Sequence, residues 1–304
     1  MILSCGEALI DMLPRQSTQG EAAFAPCPGG AVFNTAIGLG RLGVPTQFFC
    51  GMSDDFLGDI LRDALTASGV DHAPSPRLDA PCTVAFVKLV DGQATYAFYD
   101  NGSAMRTMID LPDVNADALL FGGISLVGDG CGATYEALML REAPARVTMI
   151  DPNIRPSFIQ DEPAYRARIT RMMDVADIIK LSDEDLHWLE GDGDLATLAK
   201  GLVARGAKLV CITKGANGVT GYTAKHEVFV PSERAEVIDT VGAGDTFNAG
   251  ALAGLQRAGC LAKDRIASLT EAEIRDALHL GVRAAAVTVS RAGANPPTAA
   301  ELGL

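Results

Sequence analysis

The chain contains no lysine followed by serine or threonine, so the P-loop motif for phosphate binding is absent. Basic residues are also scarce, with 25 Lys and Arg against 38 Asp and Glu, for a formal charge of −13. Such a balance gives no general attraction for nucleic acid, and no nucleic-acid partner is expected. An anionic substrate would have to be met locally by backbone amides, a single basic side chain or a metal ion. No apolar run approaches the roughly 20 residues of a membrane-spanning helix. The opening MILSCGEALIDMLP lacks a basic n-region and places Glu7 and Asp11 where a signal peptide needs apolar residues, so no membrane partner is expected. The seven cysteines (5, 27, 50, 82, 131, 211 and 260) include no Cys-x-x-Cys pair. An odd, scattered set suggests neither a disulfide framework nor a zinc cluster, and points to a reducing, cytoplasmic setting. The four histidines (72, 187, 226 and 279) lack zinc-site spacing.

What is present is ordinary globular material: 304 residues, 48% hydrophobic and 21% charged. Short apolar runs alternate with amphipathic stretches, the pattern of βαβ units around a mainly parallel sheet. Strands are expected at 2–5, 47–51, 118–121, 147–151, 178–181 and 209–213. Helices are expected at 31–42, 56–67, 135–141, 164–175, 195–204, 243–258 and 271–290. One stretch breaks the rhythm: 82–90 and 93–100 are aromatic and β-branched and flank Asp91-Gly92, which predicts a hairpin. With residues around 13–26 it reads as a small sheet projecting from the core, either a lid or an ordinary edge hairpin.

The strongest local signal is DTVGAGDTFNAGAL, residues 239–252. Gly242-Ala243-Gly244 opens an apolar helix, so unpaired amides and the positive end of the helix dipole converge where few side chains intrude. Asp245 follows in the first turn, where it could accept a proton; the plain alternative is a tight turn with Asp245 capping the helix. A second signal, Pro28-Gly29-Gly30-Ala31-Val32-Phe33-Asn34, lets a polyhydroxylated ligand approach the backbone, with Asn34 offering a donor and an acceptor. Its alternative is a turn with a capping asparagine. Gly38-Leu-Gly40-Arg-Leu-Gly43 fits the dinucleotide fingerprint, but lies late in an expected helix rather than at its start, so it reads as helix packing with a C-terminal glycine.

The two glycine motifs, in this order and about 210 residues apart, resemble those of the ribokinase-like (PfkB) carbohydrate kinases. The resemblance covers essentially the whole chain. It implies an α/β fold with a mainly parallel central sheet flanked by helices on both faces, and a small β-sheet lid. The catalytic core would then comprise residues 1–12, 27–81 and 105–304, and the lid 13–26 and 82–104. It implies that Asp11, at the end of an N-terminal strand, binds sugar with Gly29, Gly30 and Asn34. Gly242, Ala243 and Gly244 become an anion hole and Asp245 the catalytic base. Asp151-Pro-Asn153-Ile-Arg155 is similar to a family strand end whose arginine, here Arg155, faces the sugar and the transferring phosphate. Tyr99 and Arg106 of the lid region would reach the sugar. Lys180 and Ser182 fall beside the nucleotide, and Asp185 stands where the family holds Mg²⁺, with Ser182 and Asp185 replacing the usual Asn-x-x-Glu. Thr213, Gly215 and Gly218 resemble the turn beside ATP, Asn248 lies toward adenine, and Asp239 is a candidate for K⁺. Val32 and Ser53 depart from the family pattern without touching a catalytic group.

The expected activity is therefore ATP-dependent phosphorylation of a sugar, with Mg²⁺ and a homodimer formed through the lid. Fructose is the first expectation, 2-keto-3-deoxygluconate the second, since Arg106 and Arg155 could pair with its carboxylate, and ribose or a nucleoside the third. A dinucleotide-dependent dehydrogenase and a noncatalytic sugar-binding protein are the readings from other classes. The displaced fingerprint disfavours the first, and retention of Asp245 with its glycine cradle the second.

Overall fold

Residues Ile2, Leu3, Ser4 and Cys5 are all buried, as befits a strand covered on both faces of a parallel sheet. The computed structural model describes residues 1–90 and 93–304, so the expected Asp91-Gly92 turn lies outside the described residues. From the N-terminus the elements are β1 (Ile2–Cys5), β2 (Leu9–Gln16), β3 (Ala22–Gly29), α1 (Ala31–Arg41), β4 (Thr46–Phe49), β5 (Met52–Ser53) and α2 (Phe56–Ala67). Next come β6 (Val70–Asp71), β7 (Arg77–Leu78), β8 (Val84–Val90), β9 (Gln93–Tyr99), α3 (Ala104–Thr107), β10 (Ala118–Gly122) and α4 (Cys131–Glu142). The middle of the chain gives β11 (Val147–Asp151), α5 (Glu162–Val175), β12 (Ile178–Ser182), α6 (Asp183–Glu190), α7 (Leu195–Ala204) and β13 (Leu209–Thr213). The C-terminal part gives β14 (Val219–Tyr222), β15 (Glu227–Val230), α8 (Ala243–Arg257), α9 (Lys263–Ile266) and α10 (Glu271–Val289).

Nine strands form the main sheet in the order β15-β14-β13-β12-β11-β10-β1-β4-β6. Pairings from β6 through to β13 are parallel, and β14 and β15 extend the edge antiparallel. Order reverses at β1, whose neighbours are β4 and β10. Ligands of open α/β sheets bind beyond the carboxyl ends of strands at such a switch point. Asp151, Ser182 and Thr213 end β11, β12 and β13 on that edge. Helix starts are set locally: the Asp55 carboxylate accepts from the Gly58 amide at 2.8 Å, and Thr270 with Glu273 forms a capping box at α10. Gly38-to-Gly43 spans the end of α1, with Gly43 at φ 77°, as the helix-terminus reading requires.

The small sheet has the order β3-β2-β8-β9. The β2–β3 ladder runs from Leu9↔Gly29 to Gln16↔Ala22, so it extends beyond residues 13–26 and includes Asp11. Asp11 is thus inside β2 and not at the end of the first strand. In β2, a polar residue amid apolar ones disguised a strand with one face toward the cleft. The edge strands β14 and β15 and the short helix α6 were not foreseen. Each spans no more than eight residues, too few for a clear period.

Candidate active site

Helix α8 begins at Gly242, a left-handed N-cap with φ 78°, where a Cβ would stand 2.6 Å from that of Ala294. No side chain caps this end. The first intrahelical bond runs from the Thr246 amide to the Gly242 carbonyl, so the amides of Gly244 and Asp245 precede it. The Ala243 amide is partly engaged, donating to the Thr240 carbonyl at 3.3 Å. Neither plain alternative for the two glycine motifs matches the geometry. Asp245 does not cap α8, and Asn34 does not cap α1, whose N-cap is Gly30. Instead the Asn34 amide donates to Asp245 Oδ2 at 2.9 Å, and the Thr35 hydroxyl donates to the Asp245 carbonyl at 3.1 Å. Burial pushes the Asp245 carboxyl up to about 7. The Asn34 bond and Lys180 oppose that rise, while Asp151 and Glu7 add to it.

Behind this pair lies a buried polar network. Lys180 Nζ donates to Asp151 Oδ2 at 2.8 Å, and Asn248 Nδ2 donates to the same oxygen at 2.7 Å. Burial alone would lower the Lys180 pKa, but Asp151, Asp185 and Asp245 together raise it, keeping the ammonium charged. A Cβ on Gly244 would lie 3.3 Å from Lys180 Nζ, so the charge stands directly against the amide cradle. Asn248 therefore belongs to this network and does not line the cavity where adenine was expected. Ser182 caps α6 by accepting from the Asp185 amide at 3.0 Å. Asp185 itself accepts from the Ile154 amide at 3.2 Å and is pushed up by burial and by Asp151. A buried carboxylate in that condition favours a nearby cation. Among the described residues no group of three acidic, cysteine or histidine side chains could hold a metal. The donor set thus fits an ion held mainly by substrate phosphates and water, with one carboxylate.

At the first glycine motif, a Cβ on Gly29 would collide with Asp11 Oδ2, so the glycine makes room for this carboxylate. Burial raises Asp11 to about 6. Register puts Asp11, Ala85 and Phe98 in one row, with Tyr96 on the same face. Tyr96 senses the charges of Asp11, Arg155 and Asp239 after the larger effect of burial, and Phe98 packs on Phe158 of the core with centroids 4.6 Å apart. Tyr99 lies three residues from Tyr96 and so on the opposite face, 65% exposed and packed edge-on against Phe86. The hairpin thus presents Tyr96, and not the expected Tyr99, on the face that carries Asp11. The Arg106 guanidinium is tied to Asp100 at 2.8 Å and to the Val127 carbonyl at 2.6 Å. Arg155 is exposed, its Nη1 donating only to the adjacent Ile154 carbonyl, and its charge reaches Asp185 and Tyr96.

A mostly apolar cavity of about 530 Å³ adjoins the cradle, lined by Thr213, Gly215, Gly218, Ala243, Gly244 and Phe247 among others. Its size and walls suit a purine nucleotide. Near it the Asp239 carboxylate bridges two loops, accepting from the amides of Val241 at 3.0 Å and Gly293 at 2.9 Å.

The chain is similar to known proteins along most of its length. The sequence profile of the pfkB family carbohydrate kinases matches residues 1–301. A fructokinase of Rhizobium leguminosarum bv. trifolii is 59% identical over 280 residues, covering 91% of this chain and 86% of that one. The crystal structure of Xylella fastidiosa fructokinase with bound ATP superposes with a TM-score of 0.86 at 29% identity, covering 96% of this chain and 93% of that one. Salmonella enterica aminoimidazole riboside kinase, solved with its riboside and an ATP analogue, gives 0.86 at 26% identity, covering 99% and 98%.

Proposed function

The chain belongs to the pfkB family of carbohydrate kinases, and from that premise we propose that it is a fructokinase, transferring the γ-phosphoryl group of ATP to a hydroxyl of fructose. The geometry that carries the reading is the Asn34 amide on Asp245 at the uncapped start of α8, which joins a sugar-binding turn to an anion cradle.

Asp11 and the Gly29–Gly30 backbone hold sugar hydroxyls, with Arg155 and Tyr96 closing the mouth. Asn34 aims the Asp245 carboxylate, which accepts the attacking hydroxyl proton as the new P–O bond forms; earlier removal would be far too costly for a carboxylate. The amides of Gly242, Gly244 and Asp245, with Lys180 beside them, stabilise the oxygens of the moving phosphoryl group. Preformed donors of this kind meet an anionic substrate despite the net charge of −13. The cavity lined by Thr213, Gly215 and Gly218 holds the nucleoside. When bound, Mg²⁺ neutralises phosphate charge, with Asp185 the side chain that would face it. Asp239, already bridging two loops, is the place for a monovalent cation. Cytoplasmic operation belongs to the same proposal and suits seven unpaired cysteines. A keto-acid substrate is less favoured, because Arg106, one of the two guanidiniums meant for its carboxylate, is committed to Asp100.

The test is ADP release with ATP and Mg²⁺ across fructose, 2-keto-3-deoxygluconate, ribose, glucose and adenosine. Fructose is expected to give at least tenfold higher kcat/KM than the others, a gap worth about 1.4 kcal/mol of transition-state binding. Preference for another acceptor overturns the assignment of fructose; no turnover of any overturns the kinase reading.

The lid also suits a second copy of the chain. Phe24, Phe86 and Tyr99 form an edge-to-face aromatic row on the face away from the cleft, and Phe24 and Tyr99 are largely exposed. The proposed homodimer buries this row. Sedimentation should give twice the chain mass for wild type and the single chain mass for Phe24→Glu with Tyr99→Glu; a monomeric wild type disproves the arrangement.

A further inference from the structure

Glu7 lies just past β1, is 1% exposed, and plays no part in the steps above. Its carboxylate sits where two helical segments begin. One oxygen accepts from the amide of Ala31, the first residue of α1, at 2.7 Å. The other accepts from the amide of Ser125, in the 3-10 turn Gly123–Leu126, at 3.3 Å. Neither segment has a side-chain cap of its own, their N-cap residues being Gly30 and Gly122. Space for the carboxylate is made by two glycines with positive φ: a Cβ on Gly123 would collide with Glu7 Oε1, and one on Gly30 would lie 2.9 Å from Glu7 Cγ. Among the described residues no ion pair joins Glu7 to a cation; burial raises its pKa, and bonds from backbone amides, those of Ala31 and Ser125 among them, oppose that rise. The helix amides are therefore its compensation for burial.

The first turn of α1, anchored in this way, carries Asn34 and Thr35, both of which bond Asp245. We propose that Glu7 is a positioning residue for phosphoryl transfer: it fixes the start of α1 from outside the helix and, through Asn34, the direction of the Asp245 carboxylate. This rests on Asp245 being the base. Glu7 also joins Asp151 in raising the proton affinity of Asp245, against Lys180 and Asn34.

The test compares pH–rate profiles of wild type, Glu7→Gln and Asp245→Asn. Glutamine keeps the shape but loses the charge and places an NH₂ group where one amide donor needs an acceptor. Glu7→Gln is expected to lower kcat about 10- to 100-fold, as misplacement of a reacting group by up to about 1 Å does. KM for ATP should change less than twofold, and the acid limb should move to lower pH as the negative charge beside Asp245 is removed. A Glu7→Gln enzyme with wild-type kcat and acid limb overturns the proposal. So does a parallel loss of kcat and ATP affinity with an unmoved limb, which would mark a merely structural residue. If Glu7→Gln does not fold, Glu7→Asp keeps the charge but is too short to reach both amides, so it should lower kcat with the limb nearly unmoved, and wild-type kcat there overturns the proposal equally. A wild type without the limb, or an active Asp245→Asn, instead refutes the role of Asp245 itself.

Discussion

Asp245→Asn should lower kcat by about 10³-fold, within the range for removing a general base, while fructose still binds with nearly wild-type affinity. Asparagine can still meet Asn34, so the pocket keeps its shape and only the proton acceptor is lost. Isothermal titration with fructose and ADP release in parallel separate binding from turnover; a variant within tenfold of wild type would remove Asp245 from its assigned role. The same carboxylate sets a pH limb. Its pKa is about 7 in the folded protein without ligands, against an ordinary carboxylate value of 3.8, chiefly through burial. Below about 7 the group is increasingly protonated and cannot accept, so kcat/KM falls on the acid side. For stability the sign is opposite to that of a salt-bridged carboxylate. The folded state binds this proton more tightly than the unfolded chain, so the contribution is present below pH 3.8 and lost as pH rises through about 7. Asp245→Asn should therefore raise the thermal midpoint at pH 8 relative to wild type and give little gain at pH 4.

Lys180→Met is expected to be the most damaging substitution for stability. Lys180 and Asp151 are each only 6% exposed at the side chain and 2.8 Å apart. Removing the lysine leaves a buried carboxylate with Asn248 as its remaining side-chain donor, a change that typically costs about 3–5 kcal/mol. Chemical denaturation measures this directly. Kinetics carry a second effect, because Lys180 holds down the pKa values of Asp245 and Asp185. Without it the acid limb should shift to higher pH, and loss of the charge beside Gly244 should lower kcat about 10²-fold. Adding Asp151→Asn should recover much of the stability but not the turnover. A single mutant as stable as wild type would show that this pair does not sustain the network.

Most of the main sheet was legible because its strands are short, uniformly apolar and separated by amphipathic helices. Five of the six expected core strands coincide with observed ones to within a residue at either end, and the sixth, expected at 47–51, begins one residue earlier and ends two earlier. The cradle was legible for a similar reason: glycines at the start of an apolar helix restrict what the backbone can do there. What escaped was parity and commitment. Whether Tyr96 or Tyr99 faces the cleft depends on the register of a sheet whose other strands are far away in sequence. Arg106 and Asn248 carry the right chemistry in the right neighbourhood, but Asp100 and Asp151 already engage them, and no local pattern reveals a partner 97 residues away. Glu7 was visible only as a charge spoiling a leader sequence; its partners at Ala31 and Ser125 appear once the chain has folded back on itself.

The bond between Asn34 and Asp245 spans 211 residues of chain. A ribosome making this protein releases the Gly29–Asn34 turn long before Asp245. Helix α10, which packs along α8, follows later still. A chain stopped before α8 can therefore hold Asp11, Asn34 and part of the cavity wall but lacks Asp245 and the amide cradle. Because domains in synthesis fold as units once their long-range contacts are available, catalytic competence should appear abruptly once α8 and α10 have emerged rather than growing with chain length.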